Sequence, residues 1–392
     1  MNAVTGLSSD LTWALAGPHA AMMLGDIGAR VIKVESPGGD DTRGWGPPFV
    51  GGAEGTVHST YFLSCNQSKE SVTLDLETES GARNLRRFVT QFDVLMENFR
   101  TGVLDRLGFS TEELQRINPR LAILSITGFG HDGPEGGRAG YDQIAQGEAG
   151  LVSITGPSLD EPTKVGVPIG DLFAGMYGAF GVVSTLVERS ATGHGTIFRT
   201  SLLAAIVGVH GFQGTCVTVA GEVPVSLGNH HQSIAPYGLF RAADASVQVA
   251  VGSELLRAKF APIVGLDPIE DYFATNSQRV QQRDKLIKIV EDTFELESAE
   301  HWLTKLVEAE VSAGKVRPLD DVYLREQTKS QGLLIDVEHP VLEKLSLPGP
   351  PLSFNDNKFA GARGEHRTPP TLGQHNASVV AWLDDCDERT AE

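Results

Sequence analysis

Apolar residues in the first third of the chain switch repeatedly between a helical and a strand-like period. HAAMMLGDIG (19–28), entered through Gly17-Pro18, predicts a helix, and ARVIKVE (29–35) is a β-branched run that stops at the breaker Ser36-Pro37-Gly38-Gly39. SVTLDL (71–76) alternates Val72, Leu74 and Leu76, and a helix over 78–91 with Thr78 as N-cap follows it. FDVLMEN (92–98) predicts a further strand, 111–117 a helix, and LAILSITGFG (121–130) a buried strand running into a glycine loop. Strand, helix, strand with short connections predicts an α/β sheet with parallel pairing. Ligands of such sheets collect at the carboxyl ends of strands, so the loops after Glu35, Glu97 and Thr127 are the places to look. No GxGxxG follows the first strand and no GxxxxGK[ST] occurs, so neither a dinucleotide fingerprint nor a P-loop is supported.

Long apolar helices are expected over 172–221, and then the texture changes. A loop GNHHQSIAPYG (228–238), a strand pair around 239–252 and charged amphipathic helices at about 278–294 and 298–310 predict a second, smaller domain. The tail over 331–375 reads as strand and loop with proline clusters. The expected division is a large α/β part over 1–200, a connector over 201–225, a small domain over 226–325 and a return to the large domain over 326–392. Residues 200–221 carry no charge, but Gly208, His210, Gly211 and Gln213 make them too polar for a lipid-facing span; a buried helix and connector is expected there.

Composition narrows the function. With 50 acidic against 32 basic residues in 392, the formal charge of −18 repels a phosphate backbone and argues against general nucleic-acid binding, while leaving room for a local cationic pocket. Cys65, Cys216 and Cys386 have no metal-ligand spacing and read as reduced packing thiols. The first lysine or arginine is Arg30, so no basic export n-region is visible, and a soluble cytoplasmic protein without membrane association is expected.

Four features carry candidate chemistry. Asp171 stands directly before a long uncharged helical stretch, where a carboxylate would sit among unpaired N–H groups; an ordinary helix cap accounts for such an Asp as well as a nucleophile does. Pro168, Gly170, Ala174, Gly175 and Gly178 keep its surroundings thin enough for a ligand chain to approach, and the apolar context suits a partly desolvated nucleophile. The loop over 128–151 is glycine-rich and offers Arg138 and Tyr141 as contacts, with His131 read as a turn residue. Arg100 and Arg106 follow a strand end, where guanidinium forks suit phosphate, although exposed arginines are commonly only solvated. His230-His231 lack a third ligand at metal spacing, so no metal is expected; Asn229 and neighbouring N–H groups read better as donors to an oxyanion or carboxylate.

Taken in order, LAGP (15–18), LGDIGARVIKVE (24–35), GDDTRGWGPPF (39–49), ENFRTGVLDRLGF (97–109), GYDQIAQGEAGL (140–151), GDLFAGMYGA (170–179), GNHHQSIAPY (228–237) and LGQH (372–375) resemble the family III CoA-transferases, the CaiB/BaiF group that includes formyl-CoA and carnitine CoA-transferases. The resemblance implies a large Rossmann-like parallel-sheet α/β domain built from both termini, a smaller α+β domain, and an interlocked homodimer. It implies CoA transfer from an acyl-CoA to a carboxylic acid through an aspartyl anhydride and then an aspartyl thioester on Asp171. It places CoA against Ala16, Leu74, Asn98, Phe99, Arg100 and Arg106, and against the loop Ala139, Gly140, Tyr141 and Asp142. Trp45, Tyr141, Asn229 and His230 fall to the acyl site. The implied small molecules are acyl-CoA and a carboxylic acid as substrates, with no prosthetic group and no metal.

The chain also departs from the family pattern. Ser36-Pro37 stands where formyl-CoA transferase has an arginine, so one phosphate contact is either absent or supplied from elsewhere, and Ala204 replaces an Asp in TGHGTIFRTSLLAA (192–205). The opening GLSSDLT (6–12) is less apolar than a usual first strand. Two alternatives stay open: an acyl-CoA racemase of the same superfamily, against which Tyr141 stands in place of a histidine base, and a CoA-binding paralogue without turnover.

Overall fold

Six short runs, most of them β-branched or aliphatic, form one parallel sheet: β1 (Leu7–Leu11), β2 (Arg30–Glu35), β3 (Lys69–Thr73), β4 (Val94–Glu97), β5 (Ala122–Thr127) and β6 (Ile197–Ser201). The computed structural model describes residues 6–51, 57–266, 272–355 and 361–391. The strands lie in the order β3-β2-β1-β4-β5-β6, every neighbouring pair parallel. The order reverses between β1 and β4, which opens a crevice at the carboxyl ends of those two strands. The helices covering the sheet include α1 (Ala16–Asp26), α2 (Glu79–Gln91), α3 (Thr111–Ile117), α4 (Asp142–Glu148), α5 (Ile169–Thr192) and α6 (Leu202–Gly208).

Two compact units result: Met1–Ala149 with Gly166–His210 and Tyr323–Glu392, and Gly150–Val165 with Gly211–Val322. Residues 150–165 therefore group with the second unit, not with the N-terminal part as the sequence pattern suggests. The two ends of the chain meet in the first unit. The C-terminal helix Asn376–Ala391 drives Val379 and Leu383 into the same core as Ile32, Val72, Phe88 and Leu95.

β1 explains its own polarity. Ser8, Ser9 and Asp10 are fully buried, and Asp10 accepts Lys69 Nζ at 2.8 Å and Thr12 N at 3.1 Å. Lys33, also buried, reaches Asp40 at 2.9 Å and donates to the Thr12 carbonyl at 2.7 Å. Burial pushes the Asp10 carboxyl upward, but the two lysines outweigh it and hold it below the usual range. The less apolar first strand is thus a site of buried ion pairing beneath the crevice. Lys69 also donates to the Pro18 carbonyl and Asn66 Oδ1. Lys69→Met, which leaves Asp10 buried beside a single lysine, is expected to cost roughly 3–5 kcal/mol in denaturant unfolding; a loss below about 1 kcal/mol would show that the network contributes little.

The stretch over 172–221, expected as long apolar helices with a connector, also contains a strand. α5 ends at a left-handed Gly193, β6 intervenes, and α6 stops at Gly208; Phe212–Thr215 and Cys216–Ala220 are separate short helical turns that belong to the second unit. IFRTS escapes the strand pattern because it is a partly exposed edge strand with Arg199 at its centre. Residues 212–221, expected to be buried, are mostly exposed, with Val219 at 82%. α5 is long and apolar enough to cross a membrane by length and composition. Its small residues instead take it into the core: a Cβ on Gly175 would lie 2.7 Å from the Ala16 carbonyl, and one on Gly178 3.0 Å from Leu124. These glycines therefore serve helix packing, where the sequence pattern suggests room for a ligand.

The second unit has a three-stranded antiparallel sheet of β7 (Tyr237–Arg241), β8 (Ser246–Ala250) and β9 (Ser312–Lys315), with β8 central. β9 is absent from the sequence reading because SAGK lacks both β-branched residues and alternation. The helices Arg283–Phe294 and Ala299–Glu308 cover the sheet with Leu286, Val290, Phe294, Trp302 and Leu306. Trp302 stacks on Phe294 at 4.9 Å and donates Nε1–H to its carbonyl. This is an α+β unit.

Candidate active site

Asp171 lies in the first turn of α5, but it does not cap the helix. Pro168 occupies the cap position without a side-chain bond, and the free N–H groups of Gly170 and Asp171 point to Asp142 Oδ1, at 2.7 and 3.4 Å. Asp142, at the start of α4, is held in turn by Gln146 Nε2 on its other oxygen, at 2.7 Å. The helix-end donors that would stabilise a carboxylate at 171 are thus committed to Asp142. Burial, and then the charge of Asp142, push the Asp171 carboxyl up to about 7. A carboxyl in that state is half ionised at neutral pH, and its anion is poorly solvated, which suits a nucleophile.

Tyr61, on the short helix Thr60–Leu63, is the aromatic neighbour that the sequence reading misses. Its phenol is pushed upward by burial and then by the charges of Asp171, Cys65, Asp142 and Asp40, so it stays protonated beside the two carboxyls. Trp45 meets Tyr61 edge to face at 5.0 Å, which joins Trp45 to this cluster. Nothing in local periodicity marks Tyr61; its only signal is an aromatic after the Ser59 cap, and the cap alone accounts for that turn. Cys65 is buried and its thiol is raised to about 11 by that burial, so it is a packing group and not a thiolate.

At the crevice, a cavity of about 510 Å³ opens over the carboxyl ends of β1, β2, β3 and β4. Leu74, Phe99 and Arg106 line it, together with Leu11, Trp13, Val34, Leu76, Val103 and Leu107. Asn98 is spent on the cavity wall: its Oδ1 accepts Trp13 N at 3.0 Å and its Nδ2 donates to the Trp13 carbonyl at 2.8 Å. Trp13 in turn packs edge to face on Phe99 at 4.8 Å. Asn98 shapes the cavity through backbone bonds. Beneath this turn, buried Glu97 accepts Phe99 N at 2.8 Å and the Ser125 hydroxyl, and Ser125 Oγ meets His131 Nε2 at 2.7 Å. Burial raises the Glu97 carboxyl to about 6. His131 thus ties the glycine loop to the sheet.

Arg100 is exposed in the same turn and does not line the cavity. Arg138 pairs with Glu135 at 3.0 Å and Glu148 at 2.6 Å and lies over the Phe129 ring. Ala16 is buried in the first turn of α1, its carbonyl facing Gly175. Gly140 packs so tightly that a Cβ there would lie 2.7 Å from Phe129; Ala139 precedes it, and Tyr141, 70% exposed, follows.

In the second unit, Asn229 and His230 line a pocket of about 300 Å³ with Phe212, Gln213, His231 and Tyr237. His231 stacks on Phe212 at 5.6 Å, and His230 meets Phe240 at 5.4 Å. Burial, then Arg283, push the His230 ring downward, so it is neutral near pH 7. Among the described residues, no three His, Cys, Asp or Glu side chains gather as a metal set.

The profile of the family described as CoA-transferase family III matches residues 9–376. The chain is 36% identical over 383 residues to the succinyl-CoA:glutarate CoA-transferase of Homo sapiens, covering 97% of this chain and 85% of that one. It is 36% identical over 388 residues to the succinate–glutarate CoA-transferase of Agrobacterium fabrum, covering 97% and 95%. An acetyl-CoA:oxalate CoA-transferase of Acetobacter aceti is 34% identical over 376 residues, covering 94% and 92%. The crystal structure of a CaiB/BaiF family protein from Brucella suis superposes with a TM-score of 0.83 at 36% identity, covering 96% of this chain and 98% of that one.

Proposed function

We propose that this chain, which belongs to CoA-transferase family III, exchanges CoA between an acyl-CoA and a carboxylic acid through covalent intermediates on Asp171. CoA transfer between acyl-CoA and carboxylic acids is the activity its relatives share. The observation that carries the covalent reading is the carboxyl of Asp171, partly accessible, raised to about 7 and stripped of helix-end donors by Asp142.

An Asp171 oxygen attacks the donor acyl carbonyl carbon. The C–S bond breaks, giving an aspartyl acyl anhydride and CoA thiolate. The thiolate attacks the aspartyl carbonyl carbon, the C–O bond to the donor acyl group breaks, and the donor acid leaves as its carboxylate. The acceptor carboxylate then attacks the aspartyl thioester, expelling thiolate and forming a new anhydride. Attack of the thiolate on the acceptor acyl carbon releases the new acyl-CoA and regenerates the Asp171 carboxylate. No proton is consumed, and the thioester's free energy is retained. Tyr61, always protonated, is suited to donate to an oxyanion formed at Asp171, and Trp45 beside it to bound the acyl group. Exclusion of water protects the anhydride.

Leu74, Phe99 and Arg106 are assigned to the CoA nucleotide, with Arg100 at the surface of the same turn. Asn229 and His230 are assigned a donor role toward carboxylate in their own pocket. The relatives' names join succinyl-CoA to glutarate, and acetyl-CoA to oxalate, so dicarboxylates are the acceptor class proposed here. CoA enters as substrate, and no prosthetic group is invoked. The proposed setting is the cytoplasm.

Incubation with succinyl-CoA followed by hydroxylamine should leave a hydroxamate at Asp171, read by peptide mass. An unmodified Asp171 across a broad acyl-CoA panel would favour a binder without turnover. Solvent deuterium entering the α-carbon of a 2-methylacyl-CoA without acyl exchange would favour a racemase. A homodimer is also proposed, because α5 exposes Met176, Tyr177, Phe180 and Val187 along its length, Phe180 at 73%. Sedimentation should give the mass of two chains; a single-chain mass at micromolar concentration would refute it.

A further inference from the structure

We propose that the cavity over β1–β4 holds the adenosine of its thioester without selecting for the 3′-phosphate, so that dephospho-CoA thioesters are substrates at least as good as CoA thioesters. This rests on the reading of that cavity as the CoA nucleotide site. Its floor is apolar, from Leu11, Val34, Leu74, Phe99 and Val103, which suits a purine. Its polar groups are of the wrong sign for an extra phosphate. Glu35, Asp40, Asp41, Asp75 and Glu77 line it, and among the described lining residues Arg106 is the only cation.

Two of the five acids are already neutralised. Glu35 receives both Arg43 Nε and Nη2 at 2.8 Å and the Ser71 hydroxyl at 2.6 Å, and Asp40 pairs with Lys33 at 2.9 Å. Asp41, Asp75 and Glu77 are exposed at the cavity, and their side chains form no ion pair among the described residues. Three open carboxylates thus face one guanidinium. Ser36, at the end of β2, adds only a hydroxyl. Arg106 within the cavity and Arg100 beside it match the bridging diphosphate, which CoA and dephospho-CoA share. The 3′-phosphate is the part of CoA that the cavity meets with like charge, and like charges inside one Debye length weaken binding.

The test is titration and steady-state kinetics of the full chain with CoA, dephospho-CoA and their succinyl thioesters at low salt. The expected ratio of Kd for dephospho-CoA to Kd for CoA is at or below about 1. Glu77→Lys, an exposed change, is expected to move that ratio toward CoA by about tenfold. Arg106→Ala should weaken both ligands alike. Val103→Trp, which fills the cavity, should weaken both together. A wild-type preference for CoA of tenfold or more, with Val103→Trp still weakening both, would overturn the proposal and leave the cavity reading standing. Unchanged binding of both ligands in Val103→Trp would overturn the cavity reading and this proposal with it.

Discussion

Asp171→Asn is expected to lower CoA transfer by at least about 10⁴-fold while making the folded protein more stable above neutral pH. On the proposed mechanism the activity loss follows from removing the oxygen that bonds to the acyl carbon, and CoA binding is expected to persist, because the residues proposed to hold it are untouched. The stability gain follows from the raised carboxyl. Its ordinary value is 3.8 and its folded value about 7, so between these the folded state holds the proton more tightly than the unfolded chain. Stability from this group is therefore full below about pH 4, declines as pH rises toward 7, and stays reduced above. Asparagine has no charge to desolvate, so its advantage is absent at pH 4 and reaches on the order of 2 kcal/mol at pH 8, after discounting for the partial exposure of the site. Denaturant unfolding at both pH values checks this, with succinyl-CoA turnover measured in parallel. Residual turnover within tenfold of wild type would remove Asp171 from the mechanism, and equal stability at pH 8 would show that its burial costs nothing.

The second large effect concerns pH. In the proposed mechanism only the Asp171 carboxylate attacks, so kcat/KM in the free enzyme should climb with pH through about 7 and reach a plateau near 8. At pH 5 the ionised fraction is about one-hundredth, and activity should fall in proportion. Asp142 supplies part of the upward shift, next to burial. Asp142→Asn keeps an oxygen for the Gly170 and Asp171 N–H groups but drops the charge, so the acid limb should move to lower pH. An acid limb that stays in place in Asp142→Asn would show that burial alone sets it. A wild-type limb near 4 would show that the Asp171 carboxyl is not raised in the working enzyme.

Much of the architecture is legible in local patterns. The runs of Val31, Ile32 and Val34, of Leu95 and Met96, and of Ile123, Leu124 and Ile126 read as buried strands because both faces of a parallel sheet are covered. Two edge strands escape: β6 with Arg199 at its centre, and β9 made of small and polar residues, show no period to read. The glycines of α5 show the converse. Their spacing is visible, but the same spacing serves ligand access or helix packing, and only the 2.7 Å approach to the Ala16 carbonyl decides for packing.

The candidate site divides along the same line. Motif order along the chain shows the family and offers Asp171, Arg106, Phe99 and Leu74 as candidates, since residue type and order are properties of the chain itself. Tyr61 beside Asp171, the commitment of the α5 N–H groups to Asp142, and the turn of Asn98 toward the Trp13 backbone belong to the folded molecule. So does the gathering of Asp41, Asp75 and Glu77 around one arginine, which joins three separate strand ends at a single cavity. Electrostatics and burial act through space, and residues far apart in sequence become neighbours only when the sheet order brings their loops to one edge. A sequence names the groups available for the chemistry; their protonation and their partners are settled by the distances that folding imposes.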